Sequence, residues 1–265
     1  MDSKPRIALL IDADNAPASK IDLILNELSS LGETSIRRAY GNWTKPNLSG
    51  WEKVLLARAI RPMQQYDYST GKNASDMAMV IDAMALLYTD RPDAFGIVSS
   101  DSDFTPLVMH LREKGAMVYG FGQQNTPKPF VSACSRFLYL DQLVEPDEEE
   151  GEAKGGAATP SLRKSTAELR QDSGLVNLLR NAVRAAADES GWARVQSVGS
   201  QISNQSSFDP RNHGYATMTK LLAATQLFDM RDEGTPNVSV RDKPEVRSPA
   251  AKTTGRKTAR KAAGS

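Results

Sequence analysis

Short apolar runs alternate with segments of helical period along the first half of the chain. Residues 7–11, IALLI, predict a buried strand, and the next segment carries a helical apolar stripe, formed by Ile21, Ile24, Leu25, Leu28 and Leu31. The alternation continues, with strands predicted at 34–40, 60–66, 94–99, 116–121 and 137–140 and helices at 51–59, 75–88 and 105–114. Strands that alternate with helices predict an α/β fold, a parallel sheet with helices on both faces.

A smaller pattern follows a segment without apolar periodicity. Residues 145–165 are acidic at first and then rich in glycine and alanine, which predicts a linker. Beyond it, three short helical stripes precede two strand-like pieces at 227–231 and 237–241, and this succession predicts a winged-helix domain. We therefore expect four regions: a first domain at 1–144, the linker, a second domain at 166–243 and a disordered basic tail at 244–265.

The formal net charge of +1 hides a separation of charge along the chain. Residues 145–152 are nearly all acidic, whereas residues 252–261 are basic without an acid. Cys134 is the only cysteine, which excludes an internal disulfide and a thiolate metal cage, and we expect its side chain to be buried. No apolar stretch is long enough to span a bilayer, and residues 1–6 lack the apolar core of a secretory signal, so we expect a cytoplasmic protein without a membrane partner.

Aspartates stand at the carboxyl ends of two predicted strands and at the start of one helix. Asp12 and Asp14 follow the first strand, Asp101 and Asp103 follow the fourth, and Asp76 lies in the first turn of the helix at 75–88. Parallel sheets bind ligands outside the carboxyl ends of their strands, so we expect these side chains to meet at one edge. The helix itself is expected to face the sheet with its apolar stripe, Met77, Val80, Ile81 and Met84.

A cluster of aspartates calls for a cation, because neighbouring carboxylates repel and raise one another's pKa. The available ligands are oxygens, with no histidine or cysteine nearby in the sequence, and such a set suits Mg²⁺ or Mn²⁺ better than zinc. A metal of this kind binds phosphate oxygens and lowers the pKa of an attacking water, which is the chemistry of phosphodiester hydrolysis. Each aspartate taken alone fits a capping role equally well, but the set at three element ends favours the metal site.

Other polar residues near these positions leave alternatives open. Asp82 fits structural pairing or metal contact, and Asn15 fits orientation of Asp12, contact with a metal-bound water, or capping of the next helix. Lys45 and Lys72 are candidate phosphate contacts. The same basic and aromatic cluster includes residues that fit the core as well as an RNA groove, namely Arg37, Arg38, Tyr40 and Trp43.

Several short motifs resemble the NYN domain, a branch of the PIN-like nucleases. They are DADN at 12–15, GKNASD at 71–76, VIDAM at 80–84 and VSSDSDF at 98–104, with YGNW at 40–43 and YGFGQQNTPKPF at 119–130 resembling the bacterial branch. The resemblance implies a Rossmann-like sheet with a magnesium-dependent ribonuclease site. It also implies that Asp12, Asp76 and Asp101 hold the principal acidic positions, with Asp103 as a fourth and Asn15 as a polar partner.

The second domain resembles the OST-HTH family, also called LOTUS. The resemblance is carried by GYATMTKLL at 214–222, by LFDMRD at 227–232 and by the apolar spacing between about 166 and 242. It implies a winged-helix module associated with RNA, with a protein partner as a further option. Cations and an aromatic side chain for RNA are available at Arg211, His213, Tyr215 and Lys220, although a solvated helix start explains these residues equally well.

Three functions fit these patterns. The first is a nuclease acting on RNA, delivered or retained by the second domain. The second is an RNA-binding regulator whose acidic pocket binds metal or a partner without turnover. The third is a phosphatase related to the haloacid dehalogenases, in which Asp12 is a covalent nucleophile; that family requires Thr or Val two places after the second aspartate, where this chain has Ala16.

Overall fold

The computed structural model describes residues 4–66, 73–142 and 163–243. The strands of the first domain are β1 (Arg6–Asp12), β2 (Glu33–Gly41), β3 (Arg61–Gln64), β4 (Ala94–Val98), β5 (Met117–Gly122) and β6 (Arg136–Tyr139). Its helices are α1 (Ile21–Leu31), α2 (Trp51–Ala57), α3 (Ala74–Thr89), α4 (Thr105–Glu113) and α5 (Lys128–Ala133). Helix α5 lies where the apolar pattern indicated no helix, and Cys134 directly after it is buried, as predicted.

The strands of the first domain form one parallel sheet in the order β3-β2-β1-β4-β5-β6. The chain builds outward from β1 to β3 and then crosses through α3 to place β4 on the other side of β1. β1 and β4 are therefore neighbours where the strand order reverses, with Ile11 opposite Val98. The predicted α/β fold is confirmed, and the carboxyl ends of β1 and β4 border the crevice in which such sheets bind ligands.

The side chains of β1 alternate between the two faces of the sheet. Ile7, Leu9 and Ile11 join a core with α1 and α2, whereas Ala8 and Leu10 join a core with α3 and α4 on the opposite face. All of these side chains are fully buried. Because helices cover both faces, β1 is apolar along its length and becomes polar only at Asp12, where the strand ends.

Helix α3 packs on the sheet with a different face from the one predicted. Met77 and Ile81 are 60% and 65% exposed, whereas Met79, Ala83 and Leu86 are buried. The expectation that the stripe containing Met77 and Ile81 faces the sheet is therefore wrong. The helix carries apolar residues on nearly every side, so the periodicity did not single out the packed face.

Because α3 packs with this face, Asp82 points toward β2. The Asp82 carboxylate accepts hydrogen bonds from the guanidinium of Arg38 and the hydroxyl of Tyr40. Tyr40 is buried, and burial together with the neighbouring Asp82 carboxylate raises the pKa of its hydroxyl, which stays protonated as a donor. Of the alternatives left open by the sequence, Asp82 takes the structural one, and Arg38 and Tyr40 are engaged in the fold.

The second domain is built from the helices α6 (Thr166–Gln171), α7 (Ser173–Ala186), α8 (Val195–Gln205) and α9 (Met218–Thr225). Its strands β7 (Ala193–Arg194), β8 (Phe228–Arg231) and β9 (Ser239–Asp242) pair antiparallel in the order β7-β9-β8. The predicted three helices and hairpin correspond to α7, α8, α9 and β8-β9, and α6 is an addition that begins with a capping box between Ser165 and Glu168. None of the helices in the described ranges is long and apolar enough to cross a bilayer.

The second domain contacts the first through the turn that follows α8. Arg211 of this turn donates to both Glu27 of α1 and Asp209. Arg211 was expected either to contact RNA or to lie at a solvated helix start; its ion pairs contradict the solvated helix start and give the side chain a role in the fold. Glu27 and Arg211 are 184 positions apart in the sequence, so no local pattern could have paired them.

Candidate functional site

Asp12 lies at the carboxyl end of β1, next to the end of β4. It is 1% exposed, and Ser99, the residue after β4, is equally buried. The Asp12 oxygen Oδ2 accepts a hydrogen bond of 2.8 Å from the Ser99 hydroxyl and another of 2.8 Å from Nδ2 of Asn15. Two neutral donors from two different loops therefore fix the orientation of this carboxylate.

The second oxygen of Asp12 has no such partners. Within the described ranges, Oδ1 is buried and accepts no hydrogen bond. Burial raises the pKa of Asp12 above its ordinary value, although the hydrogen bonds from Asn15 and Ser99 oppose this effect. A buried carboxylate oxygen without a donor is costly, and a cation relieves that cost.

The pKa of Asp76 is affected by every other aspartate of the cluster. It lies in the first turn of α3, where the helix dipole favours a negative charge. Its pKa is nevertheless raised to about 6, first by burial and then by the negative charges of Asp12, Asp101, Asp14 and Asp103. The aspartates that follow β1 and β4 therefore lie within electrostatic reach of the start of α3, as the sequence predicted.

The other aspartates of the cluster are held by local hydrogen bonds. Oδ1 of Asp101 accepts from the backbone nitrogen of Asp103 at 2.9 Å and so caps the short turn Ser102–Phe104. Asp14 accepts from the hydroxyl of Ser75 at 3.3 Å, which joins the loop after β1 to the start of α3. The capping role left open by the sequence is thus seen at Asp101, and it uses only one of the two carboxylate oxygens.

The donor chemistry of the cluster suits a hydrated divalent cation. Its side chains offer oxygens only, and both the unpartnered Oδ1 of Asp12 and the repulsion felt by Asp76 would be relieved by positive charge. In the described part of the chain, however, no three acidic, histidine or cysteine side chains lie close enough together to hold one metal ion. The carboxylates therefore act on one another through their charges without converging on one point.

A pocket of about 680 Å³ opens beside the cluster. Its walls are the loops after β1 and β4, at residues 14–17 and 100–102, and Gln123, Asn125 and Pro127 of the loop after β5. Besides Asp14 and Asp101, these loops present neutral polar groups, and Gln123 donates its backbone N–H to the hydroxyl of Ser100 at 2.8 Å. The pocket is large enough for a substantial ligand, since binding sites typically measure about 300–1,000 Å³.

The predicted substrate contacts have different places. Asn15 lines the pocket and also orients Asp12. Lys45 precedes the turn Pro46–Leu48 and does not line this pocket, and Lys72 lies outside the described residues. The contact of Ser99 with Asp12 was not predicted from the sequence, although a serine directly after a buried strand was a usable signal.

Comparison with known proteins identifies both domains. Residues 6–141 match the NYN domain, and residues 170–240 match the OST-HTH/LOTUS domain. The chain is 28% identical over 123 residues to the uncharacterized protein MJ0482 of Methanocaldococcus jannaschii, a match that covers 45% of this chain and 48% of that relative. The chain therefore spans about half the length of this curated relative.

Two solved structures are similar to this chain at low identity. The crystal structure of VPA0982 from Vibrio parahaemolyticus, a protein of unknown function, is 19% identical with a TM-score of 0.45, covering 52% of this chain and 94% of that one. The solution structure of an uncharacterized protein from locus NE0665 of Nitrosomonas europaea is 21% identical with a TM-score of 0.26, covering 37% and 91%. The family match extends over just over half of the 265 residues. This protein therefore belongs to the NYN domain family and carries an OST-HTH/LOTUS domain after its NYN domain.

Proposed function

We propose that this protein is a metal-dependent ribonuclease, with the hydrolytic site in its NYN domain and an RNA-binding role for its OST-HTH/LOTUS domain. NYN domains belong to the PIN-like nuclease superfamily, and the combination of the two domains supports an RNase-like or RNA-binding role. The metal, the hydrolysis of RNA and the residues that perform it are the proposal.

One observation carries the proposal: a buried carboxylate oxygen without a donor belongs to a group of acids that no cation of the described residues neutralises. Oδ1 of Asp12 has no hydrogen-bond partner among the described residues. The pKa of Asp76 is raised to about 6 by burial and by the surrounding aspartates. Strongly perturbed carboxylates beside a cleft are typical of functional sites, since a fold that needs only stability avoids their repulsion.

The acidic residues would hold the metal, and the rest of the site would position it and the RNA. Asp12, Asp76, Asp101 and Asp103 would bind Mg²⁺ or Mn²⁺, which when bound would offset phosphate charge and supply a water of lowered pKa. Asn15 and Ser99 keep the Asp12 carboxylate in place through their hydrogen bonds. Neutral donors on the pocket loops suit the phosphates and sugars of an RNA strand, contacts that position the backbone without reading its sequence.

A substrate panel tests this function. Full-length protein is incubated with labelled single-stranded RNA, duplex DNA or a generic phosphomonoester, in Mg²⁺, Mn²⁺ or chelator. We expect cleavage of RNA that requires the metal and is lost in Asp101→Asn. The matched control is Asp90→Asn, which removes an exposed charge at the opposite end of α3 from Asp76 and should retain full activity. Metal-independent cleavage, or full activity in Asp101→Asn, would overturn the proposal.

A non-catalytic RNA-binding protein is the second candidate. It is favoured by the spacing of the acids, because no three metal-binding side chains of the described ranges converge on one ion. The same panel separates the two candidates: RNA binding without cleavage under any metal condition supports this one. The phosphatase alternative gains no support from the geometry, because Asp12 is 1% exposed and a nucleophile has to reach its substrate.

A further inference from the structure

We propose that the cleft between the two domains is a second binding site for the RNA strand, which holds an unpaired nucleotide next to the linkage that lies in the pocket of the NYN domain. The inference rests on the proposed ribonuclease function and adds how the substrate is held. It has four supports: a fixed domain contact, a cleft with aromatic walls, lysines on both of its sides, and a loop shared with the first pocket.

A buried charge network fixes the contact between the domains. Arg211 donates to Glu27 of α1 at 2.8 Å, and Asp209 accepts from Arg136 of β6 at 2.6 Å. The Asp209 side chain is inaccessible to solvent. Burial would raise the pKa of Asp209, but the hydrogen bonds and charges of the two arginines outweigh it and lower the pKa. The carboxylate is therefore charged and engaged by both domains, which holds them in one orientation.

The second domain also pairs with the free edge of the parallel sheet. The Asn212 side chain donates to the carbonyl oxygen of Phe137 at 2.8 Å and accepts from the backbone nitrogen of Tyr139 at 3.1 Å. Ser207 accepts from the backbone nitrogen of Phe137 at 3.3 Å. These bonds occupy the polar edge of β6, which an outermost strand otherwise exposes. The cleft beside this contact therefore has walls of defined position.

The cleft itself has a volume of about 430 Å³ and aromatic side chains on both walls. Tyr139 belongs to the first domain, and Phe208 and His213 belong to the second. The rings of Phe208 and His213 stack at a centroid distance of 5.4 Å. Burial and the charge of Lys164 lower the pKa of His213 to about 4, so its ring is neutral at physiological pH. Unpaired bases of RNA are held by stacking on side chains of this kind.

Each wall of the cleft also carries a lysine. Lys128 at the start of α5 comes from the first domain and Lys164 from the second. Two acids line the same cleft: Asp172, whose carboxylate is 4.0 Å from the Lys164 ammonium, and Asp209, which is paired with Arg136 and Arg211. The lysines and acids of the lining are therefore equal in number, but both acids are engaged by cations, in contrast to the aspartate cluster. Lys128 is left to contact a phosphate without a metal, with Lys164 as a second donor on the opposite wall.

One loop connects the cleft to the pocket of the NYN domain. In the segment from the end of β5 to the start of α5, Gln123, Asn125 and Pro127 line the pocket, whereas Gln124 and Lys128 line the cleft. The two cavities therefore share this segment as part of their walls. A strand with one phosphate beside the aspartates can cross this segment and place a neighbouring nucleotide between Tyr139 and Phe208.

The test is RNA binding by full-length variants in chelator, where cleavage is absent. Lys128→Gln/Lys164→Gln should weaken binding of a short fluorescein-labelled single-stranded RNA and reduce the slope of log affinity against log salt by up to about 1.4, or ~0.7 for each phosphate contact. Tyr139→Leu, which keeps the backbone bonds to Asn212, should weaken binding roughly fivefold or more through lost stacking. The matched control is Lys53→Gln/Lys114→Gln, with the same change in charge at exposed positions away from the cleft.

Turnover separates this inference from the function on which it rests. In the presence of metal, the cleft variants should keep the wild-type kcat at saturating RNA and should change only KM, which should rise. A dinucleotide too short to reach the cleft should be cleaved equally by the variants and by wild type. If wild type cleaves RNA and the cleft variants bind like the control, the cleft proposal is overturned and the ribonuclease stands. If no protein cleaves RNA but the cleft variants still bind it more weakly than the control, the cleft is supported and the ribonuclease is overturned. Absence of RNA binding in wild type would overturn both.

Discussion

Asp12 and Asp209 are buried to the same degree and have opposite surroundings. Each is 1% exposed, one at the end of β1 and the other between the two domains. Burial raises the pKa of Asp12, and the neutral donors Asn15 and Ser99 do not reverse this. Burial acts on Asp209 as well, but Arg211 and Arg136 lower its pKa below the ordinary value.

The difference lies in whether the chain itself supplies the compensating charge. A buried charge is stable only when it is paired, and arginines complete the network around Asp209. The causes of the raised pKa of Asp76 include four aspartates and no cation among the described residues. A compensated cluster holds the fold together, whereas an uncompensated one lowers stability until a ligand binds. Comparison of these two clusters thus distinguishes a structural role from a functional one.

The largest expected effect is on catalysis at the uncompensated cluster. Asp76→Asn should lower the rate of RNA cleavage at saturating substrate by at least about a hundredfold, the size typical when one group that stabilises transition-state charge is lost. The fold should persist, because no described residue donates a hydrogen bond to the Asp76 carboxylate. Single-turnover cleavage and circular dichroism measure the two quantities. An Asp76→Asn protein as active as Asp90→Asn would contradict the assignment.

The next largest effect is on stability at the compensated cluster. Arg211→Met leaves Glu27 and Asp209 buried with too little positive charge, and removal of one partner from a buried ion pair costs about 3–5 kcal/mol. We expect the free energy of unfolding, or of separation of the domains, to fall by this order, as measured by denaturant titration. Loss of less than about 1 kcal/mol would show that the network does not fix the domain contact.

The pH dependence of stability should have opposite signs at the two clusters. In the metal-free folded protein the pKa of Asp76 is about 6, above its ordinary 3.8. The contribution of Asp76 to the free energy of unfolding is therefore fully present below pH 3.8 and is lost as the pH rises through 6. Asp209 has a lowered pKa, so its contribution is present above 3.8 and is lost as pH falls through the lower value.

Asp76→Asn tests this sign. It should stabilise the metal-free protein at neutral pH by about 1 kcal/mol, a value reduced for solvent screening of a partly exposed side chain. In denaturant titrations between pH 4 and 6, the free energy of unfolding of the variant should change less with pH than that of wild type. Destabilisation at neutral pH would mean that Asp76 is held by favourable contacts and is not repelled.

The smallest effect is expected at an exposed ion pair. Arg58 donates to Asp22 at 2.9 Å through Nη2, and both side chains are about half exposed. Arg58→Ala should leave the free energy of unfolding nearly unchanged, because water screens such pairs. The same denaturant titration gives the value. A loss as large as that of Arg211→Met would show that burial is not what distinguishes the network between the domains.

The sequence predicted those features that depend on neighbours along the chain. Strands, helices and the aspartates at their ends follow from local periodicity, and the parallel sheet then brings Asp12 and Asp101 to one edge. The packed face of α3 was predicted wrongly because the helix is apolar on nearly every side. The pairing of Glu27 with Arg211 depends on how two domains meet across 184 positions, which no local pattern encodes.

The central claim, that the aspartate cluster binds a divalent cation, is tested most directly by the unfolding midpoint of the full-length protein during a Mg²⁺ titration. Metal that binds only the folded state should stabilise wild type by about 2.7 kcal/mol at a hundredfold excess over its Kd. Arg211→Met should start from a lower midpoint and show the same increase, since its network takes no metal. Asp12→Asn/Asp101→Asn should show no increase. A flat response in wild type, or an equal increase in the double variant, would contradict the account.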